Sequence, residues 1–512
     1  MILSLVASTL SGALFSFSFA PARLDLVAWI GLVPFFWALG RSPTRAHAAL
    51  FGFVFGFAFS LLDVSWVYRT LLIHGHFAPL PALFTLLGMV TTLALFPACF
   101  ASALDMIGRR GYGPAIVAPF LWVLFEYLRT VALTGFPWDL AGYSQADRLL
   151  VVQVADLTGI YGVSFLIVLV NATVWEACER LAARRGPKWG MIAAAVCSLI
   201  LALGYGWIRS GQFPRAQESG GTCMVGLLQA NIPQELKWED TAREFTFQTY
   251  EKLGQEAVDQ GARLLVWPET AAPVMFGGRD NGWRRPGEIS MRLKVPMLVG
   301  APSVKLIRNE IHYFNSAFLV DGDSLRYRYD KVHLVPFGEY MPLSRLLPIG
   351  PGIAAREADY SPGEEMTVMK MGGCPPFSVL ICYEAIFPDL SRSALNQGSG
   401  LLVNITNDGW FGATAAPYQH LQMARIRSVE NRVWLVRCAN TGISAIIDPV
   451  GRIVDQIPLN RQGILVQTVP SAKGARAFYT RFGDVFAWAC IAIALGIGLL
   501  AWKRPITRQA RL

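Results

Sequence analysis

The chain has 512 residues, of which 53% are hydrophobic and 16% charged, and its net charge is +9. Soluble domains carry about 25% charged residues, so a purely soluble protein is excluded. The sequence has no dense basic run with interleaved aromatics, so the positive balance points to the ends of membrane spans rather than to nucleic acid.

Residues 1–210 contain apolar stretches at about 2–20, 25–40, 47–68, 79–106, 114–133, 159–181 and 189–208. Most match the roughly 20 residues that a helix needs to cross a hydrocarbon core. The second is short and is expected to be distorted or re-entrant. The first lacks a charged leading region and a cleavage site, so it is expected to be retained. With one more stretch at 482–502, about eight spans are predicted, seven of them before the large polar region.

Loop charges orient these spans. With the N-terminus inside, the inner loops and tail hold Arg41, Arg45, Arg109, Arg110, Arg180, Arg184, Arg185, Lys188, Lys503, Arg504, Arg508 and Arg511. The short outer loops hold only Arg23, Arg69, Arg129 and Arg148. The positive-inside rule then places residues 212–480 outside. Asp63, Glu126 and Glu176 fall in or near spans, where charge is costly. Asp63 and Glu126 mark either an internal polar contact or snorkelling to the interface.

Residues 212–480 change pattern. Short β-branched runs recur at 224–230, 264–267, 297–300, 316–320, 378–382, 401–405, 434–438 and 443–447, each bounded by Gly, Pro, Asn or Asp. Helices are predicted after Asp240 and over about 418–433, so this part reads as a two-sheet α/β sandwich. Residues 481–512 form the last span and a basic tail.

Three apolar runs end or border on reactive groups: Val266-Trp267-Pro268-Glu269, Tyr329-Asp330-Lys331-Val332-His333 and Leu380-Ile381-Cys382-Tyr383-Glu384. Rigid strand ends can hold a carboxylate, an amine and a thiol together while a substrate still reaches them. A thiol is a weak nucleophile until a base takes its proton. Glu269 suits that base, Lys331 the charge beside an oxyanion, and the Tyr383 N–H a second oxyanion donor. Of the eight cysteines, Cys99, Cys178, Cys197 and Cys490 lie in apolar segments and are expected to pack. Cys223, Cys374 and Cys438 lack catalytic neighbours in sequence, and the spacing suggests neither a disulfide framework nor a metal site.

The ordered set WPET, KVHLVPFGEY and ICYE, with separations of 62 and 51 residues, resembles the Glu–Lys–Cys triad of the nitrilase or carbon–nitrogen hydrolase superfamily. Together with the flanking spans, the whole chain resembles the apolipoprotein N-acyltransferase family. The resemblance implies a nitrilase-like αββα sandwich beside the multispan domain. It implies catalytic Glu269, Lys331 and Cys382, with supporting or substrate-binding roles for Trp238, Glu339, Tyr383, Glu384, Trp410 and Trp138. Trp138 reads more as an interface anchor.

Under this resemblance a phospholipid, typically phosphatidylethanolamine, gives an acyl chain to Cys382. The α-amine of a diacylglyceryl-apolipoprotein then takes it. The place implied is the bacterial cytoplasmic (inner) membrane, with the catalytic domain on the periplasmic side. A monomer is expected, without metal or dissociable organic cofactor. The Pro- and Gly-rich stretch 342–363 is expected to form a lid. Two competing readings are a membrane-anchored amidase and a non-catalytic transporter or receptor. Seven spans exceed what a tether needs, and the intact residue set argues for chemistry.

Overall fold

The computed structural model describes residues 1–216, 222–234, 240–277, 282–340, 359–470 and 476–505. Trp238 and most of the expected lid lie outside these residues. The chain divides into two compact units.

The first unit comprises Met1–Arg69, Ala78–Gly211 and the segment from Phe482 onward. Its helices are α1 (Ile2–Ser16), α2 (Val33–Gly40), α3 (Arg45–Asp63), α4 (Trp66–Ile73, whose last turn belongs to the other unit), α5 (Pro79–Gly108), α6 (Pro114–Val131), α7 (Leu149–Val152), α8 (Ala155–Thr158), α9 (Ile160–Ala182) and α10 (Trp189–Ala216). Six helices among the described residues are long and apolar enough to cross a membrane: α3, α5, α6, α9, α10 and the late helix Val485–Trp502. The count of about eight is not confirmed. The first stretch gives a helix of 15 residues, and the second breaks into a 3-10 turn, Asp25–Trp29, and the eight-residue α2.

Small residues bring helices into backbone contact, as membrane packing favours. A Cβ on Gly52 of α3 would lie 2.7 Å from Ala101 and 2.9 Å from Ala98 of α5. Three acids of the unit pair with bases: Asp25 with Arg148 at 2.7 Å, Asp156 with Arg209 at 2.6 Å, and Glu176 with Lys188 at 2.5 Å. Asp63 and Glu126 are buried, so the internal contact is realised and snorkelling is not. Cys99, Cys178 and Cys197 lie on the unit's surface rather than packed within it. Trp138 is buried between the rings of Trp66 and Phe136, so it is a packing residue rather than an interface anchor.

The second unit comprises Thr70–Phe77 and Gln212–Arg481. Its first sheet is built from β1 (Thr222–Gln229), β2 (Leu264–Val266), β3 (Met297–Ile307), β4 (Glu310–Asp321) and β5 (Ser324–Asp330). The second contains β6 (Val368–Met369), β7 (Phe377–Ile381), β8 (Leu401–Thr406), β9 (Leu435–Ala439), β10 (Ser444–Ile447) and β11 (Ile453–Ile457). The last strand, β12 (Gly463–Pro470), returns to pair with β1. The orders are β12-β1-β2-β3-β4-β5 and β11-β10-β9-β8-β7-β6.

Helices α11 (Asp240–Asp259) and α12 (Arg284–Leu293) cover the first sheet, and α13 (Pro388–Asn396) and α14 (Ala416–Asn431) cover the second. Alternation explains the layers. Cys223, Val225 and Leu227 of β1 face the second sheet, and Leu228 faces Phe247, Tyr250 and Leu253 of α11. These contacts make the αββα sandwich. Two more helices follow, α15 (Phe478–Phe482) and α16 (Val485–Trp502).

The second unit also corrects the cysteine reading. Cys223 of β1 and Cys374, before β7, form a disulfide that joins the two sheets across 151 residues of chain. Cys438 is buried, with its thiol 3.1 Å from the Val266 carbonyl, and packs as expected.

Candidate active site

Two inner strands, β2 and β7, and the edge strand β5 end on the reactive groups. β2 runs into Glu269, β5 into Lys331 and β7 into Cys382. Glu269 sits where β3 passes close by: a Cβ on Gly300 would lie 2.8 Å from the Glu269 Cα, so only glycine fits there. Cys382 has φ 52°, a left-handed conformation uncommon outside glycine. It opens a 3-10 turn, Cys382–Ile386, so the chain turns sharply at the thiol. Strained non-glycine positions of this kind concentrate at functional sites.

The three side chains are almost fully buried and share one electrostatic environment. Lys331 Nζ lies 3.7 Å from Glu269 Oε1 and 2.9 Å from Glu339 Oε2. Burial works against the Lys331 charge, yet Glu339 and Glu269 more than offset it and hold the ammonium above its ordinary value. The Cys382 thiol is pushed well up by burial and then by the Glu269 carboxylate, with Lys331 opposing. The resting thiol is therefore neutral, with the Glu269 carboxyl and the Lys331 ammonium acting on it with opposite signs.

Other residues fix this geometry. Asn315 of β4 donates from Nδ2 to Glu269 Oε1 and to Glu339 Oε1, each at 2.8 Å. Its carbonyl accepts from the Lys331 N–H at 2.8 Å. The Asn407 N–H donates to Glu269 Oε2 at 2.8 Å. Glu339 also accepts from the Val335 N–H at 2.8 Å, which closes the 331–340 loop on itself. Behind Cys382, His420 Nε2 lies 3.1 Å from its carbonyl; a carbonyl only accepts, so that nitrogen carries the proton. Asp408 and Arg437 form a buried pair at 2.7 Å, and Arg437 also donates to His420 Nδ1 at 3.1 Å. Cys382, Asp408 and His420 each bring a possible ligand atom within 4.8 Å, but the pairing of Asp408 with Arg437 spends its carboxylate.

Tyr383 stacks edge-on to Phe387, with ring centres 5.0 Å apart. Trp410 is 42% exposed; its ring meets His74 at 5.1 Å and its carbonyl accepts from the Thr70 hydroxyl at 3.1 Å. Trp138 belongs to the other unit and is not among the residues gathered here.

Residues 224–477 match the carbon–nitrogen hydrolase family, and residues 11–173 match the apolipoprotein N-acyltransferase N-terminal domain. An apolipoprotein N-acyltransferase of Geobacter metallireducens is 40% identical over 502 residues, covering 97% of this chain and 95% of the relative. This chain belongs to the apolipoprotein N-acyltransferase family. Relatives of the same name from Methylococcus capsulatus and Bradyrhizobium diazoefficiens are 34% and 33% identical, covering 96% and 99% of this chain and 94% and 96% of their own lengths. It is accordingly a bacterial membrane enzyme with a nitrilase-like catalytic domain.

Within that family frame, Glu384 stands out as a positioning group. It is fully buried. Its Oε1 accepts from the Tyr329 hydroxyl at 2.8 Å, the Val332 N–H at 2.7 Å and the His333 N–H at 3.2 Å. Its Oε2 accepts from the Ile381 N–H at 2.7 Å. One carboxyl thus ties the segment after Lys331 to the strand before Cys382. Burial nonetheless pushes it from 4.5 up to about 7.

A proton held by the native state and released by the unfolded chain makes stability greatest below 4.5. That stability falls as pH rises to about 7. We expect the decline to approach 1.4 kcal/mol per pH unit in this window and to vanish in Glu384→Gln. Melting of detergent-solubilised protein across the window checks it; parallel curves for the two proteins would refute the assignment.

Asn315, Asn407, Asp408 and Arg437 went unassigned in the sequence. Asn407 and Asp408 fall in the polar stretch NITNDGWFG after β8, and nothing in local spacing marks Asn315 or Arg437.

Proposed function

We propose that this chain moves a fatty acyl chain from a membrane phospholipid to the α-amine of an S-diacylglyceryl-cysteine, through a thioester on Cys382. The observation that carries this reading is the convergence of Glu269, Lys331 and Cys382 in one buried cluster within a chain of this family. Glu269 takes the thiol proton as Cys382 Sγ attacks the ester carbonyl. Lys331 and the Tyr383 N–H stabilise the oxyanion. The ester C–O bond breaks, the proton passes to the departing lysophospholipid oxygen, and an S-acyl enzyme remains. The acceptor amine then attacks the thioester, Glu269 takes a proton from it, an amide forms, and Cys382 leaves and is reprotonated.

Glu339 keeps Lys331 charged and in place. Trp410 and Trp238 are proposed to contact acyl chains, and phosphatidylethanolamine is the proposed donor. The catalytic unit, residues 212–480, is proposed to face the periplasm from the inner membrane, with the enzyme acting as a monomer. Two features support that side. Basic residues crowd the opposite loops. The Cys223–Cys374 disulfide suits an oxidising compartment. Anchoring both substrates in the bilayer raises their effective concentration at the thiol.

The test is a mass measurement. Enzyme incubated with phospholipid alone should gain one fatty-acyl mass on Cys382, and a lipopeptide with a free amine should discharge it. Free fatty acid released at the same rate with and without lipopeptide would mean a hydrolase and overturn the proposal.

A further inference from the structure

The membrane unit holds a charged cavity that the reaction above does not use. Asp63 ends α3, Glu126 and Arg129 lie in the last two turns of α6, and Asp139 follows in the next loop. Glu126 is 7% exposed and Asp139 1%. Charge at such depth is costly and marks function or tight pairing.

The pairing here is incomplete. Glu126 Oε1 accepts from Trp122 Nε1 at 2.9 Å and from the Ala141 N–H at 2.7 Å, and the Ser164 hydroxyl acts on the same carboxyl, but Oε2 has no donor within hydrogen-bond geometry. Neither Asp139 oxygen receives a hydrogen bond from an N–H or hydroxyl. Its close polar neighbour is the Asp63 carboxyl, with which it can bond only if one of the two is protonated. Arg129 acts on all three acids, and one of its Nη2 hydrogens goes to the Trp138 carbonyl at 2.9 Å.

Glu126, Arg129 and Asp139 line a cavity of about 40 Å³ whose other walls include Phe55, Phe59, Phe100 and Trp122. A water needs about 10–15 Å³ measured in this way. The space thus takes about three waters, or one ammonium group with its first methylene. With one proton shared between Asp63 and Asp139, three acids against one guanidinium leave a single negative charge, and aromatic faces favour organic cations. The acids do not gather as ligands around a metal: among the described residues the one such grouping is Cys382, Asp408 and His420.

We propose that this cavity binds the primary ammonium group of a membrane amphiphile. Two amphiphiles carry that group, an aminophospholipid through its headgroup and a lipopeptide through its free α-amine. The choice of these two rests on the acyl-transfer reading; the ammonium site does not. A trimethylammonium group has no N–H for Glu126 or Asp139.

Full-length enzyme in detergent, probed by native mass spectrometry, tests this. The first arm compares phosphatidylethanolamine with its mono-, di- and trimethylated forms. Retention should fall stepwise, by about tenfold to the trimethyl form, the scale of one lost charge-assisted hydrogen bond. The second arm compares a free-amine lipopeptide with its N-acetylated form, and the arm that shows the preference names the source. Glu126→Gln and Asp139→Asn should each shrink the preference to within about twofold. Should either variant fail to fold, the wild-type methylation series decides alone. Equal retention of amine and blocked forms in both arms would mean the cavity holds water, and would overturn the proposal. The Cys382 acyl adduct is read from the same samples. An adduct without ammonium preference refutes this site and spares the reaction; preference without an adduct does the reverse.

Discussion

Cys382→Ala is expected to bring acyl transfer to a lipopeptide amine down by at least about 10³-fold, to background. The adduct with phospholipid should vanish in the same variant. The argument is chemical and positional. Cys382 is the thiol in the cluster with Glu269 and Lys331, it opens the turn after β7, and its φ of 52° holds it at that bend. No nearby residue can substitute. Cys438 is also buried, but its thiol points at the Val266 carbonyl. The loss of one sulfur should move stability by only about 1 kcal/mol, so a melting curve separates lost chemistry from lost fold. Cys438→Ala is the matched control and should keep transfer. Wild-type transfer by Cys382→Ala, or an acyl adduct that moves to another cysteine, would refute the nucleophile.

Asp408→Ala is expected to be the most destabilising substitution near the site. Arg437 is fully buried and spends its donors on Asp408, His420 and the Asn404 side chain. Burial opposes the Asp408 charge, but the Arg437 guanidinium overcomes it and holds the carboxyl down at about 2. The pair therefore stays ionised across ordinary pH. Removal of the carboxylate leaves a guanidinium buried without its counter-charge, which costs about 3–5 kcal/mol. For a unit of this size that is a fall of roughly 10 °C in melting temperature.

The double variant Asp408→Ala, Arg437→Met removes both charges and should recover most of the loss, because an apolar pair of similar volume replaces the ion pair. Activity should fall with stability in the single variant, since His420 braces the Cys382 carbonyl. A single variant that melts with the wild type would show that the pair carries no such load.

The gradient of legibility follows the range of the interactions. Span-length apolar stretches are local, so the helices at 45–63, 79–108 and 160–182 could be read directly. Buried parallel strands are also local, and the runs at 264–267, 378–382 and 401–405 appear as β2, β7 and β8. Edge strands were missed. β5, β11 and β12 lie at sheet edges; β5 alternates polar and apolar residues, and the apolar residues of β11 and β12 are interrupted by Asp455-Gln456 and by Gln467-Thr468. Helix α14 was found from its periodicity, but it is buried on nearly every side. Its His420, Arg425, Arg427 and Glu430 therefore serve the interior rather than solvent.

The sequence by itself determined which segments are apolar enough for a membrane, and which motifs place Glu269, Lys331 and Cys382 at strand ends. Those properties belong to consecutive residues and survive without knowledge of the fold. Only the tertiary structure decided that Asn315 bridges Glu269 and Glu339, and that Glu384 ties the Lys331 loop to the Cys382 strand. It likewise decided that Cys223 bonds Cys374, and that Glu126 and Asp139 share a cavity. Each of these joins residues far apart in the chain, and no local period encodes which distant partner a side chain meets. The packing of two sheets and a helical bundle sets that choice.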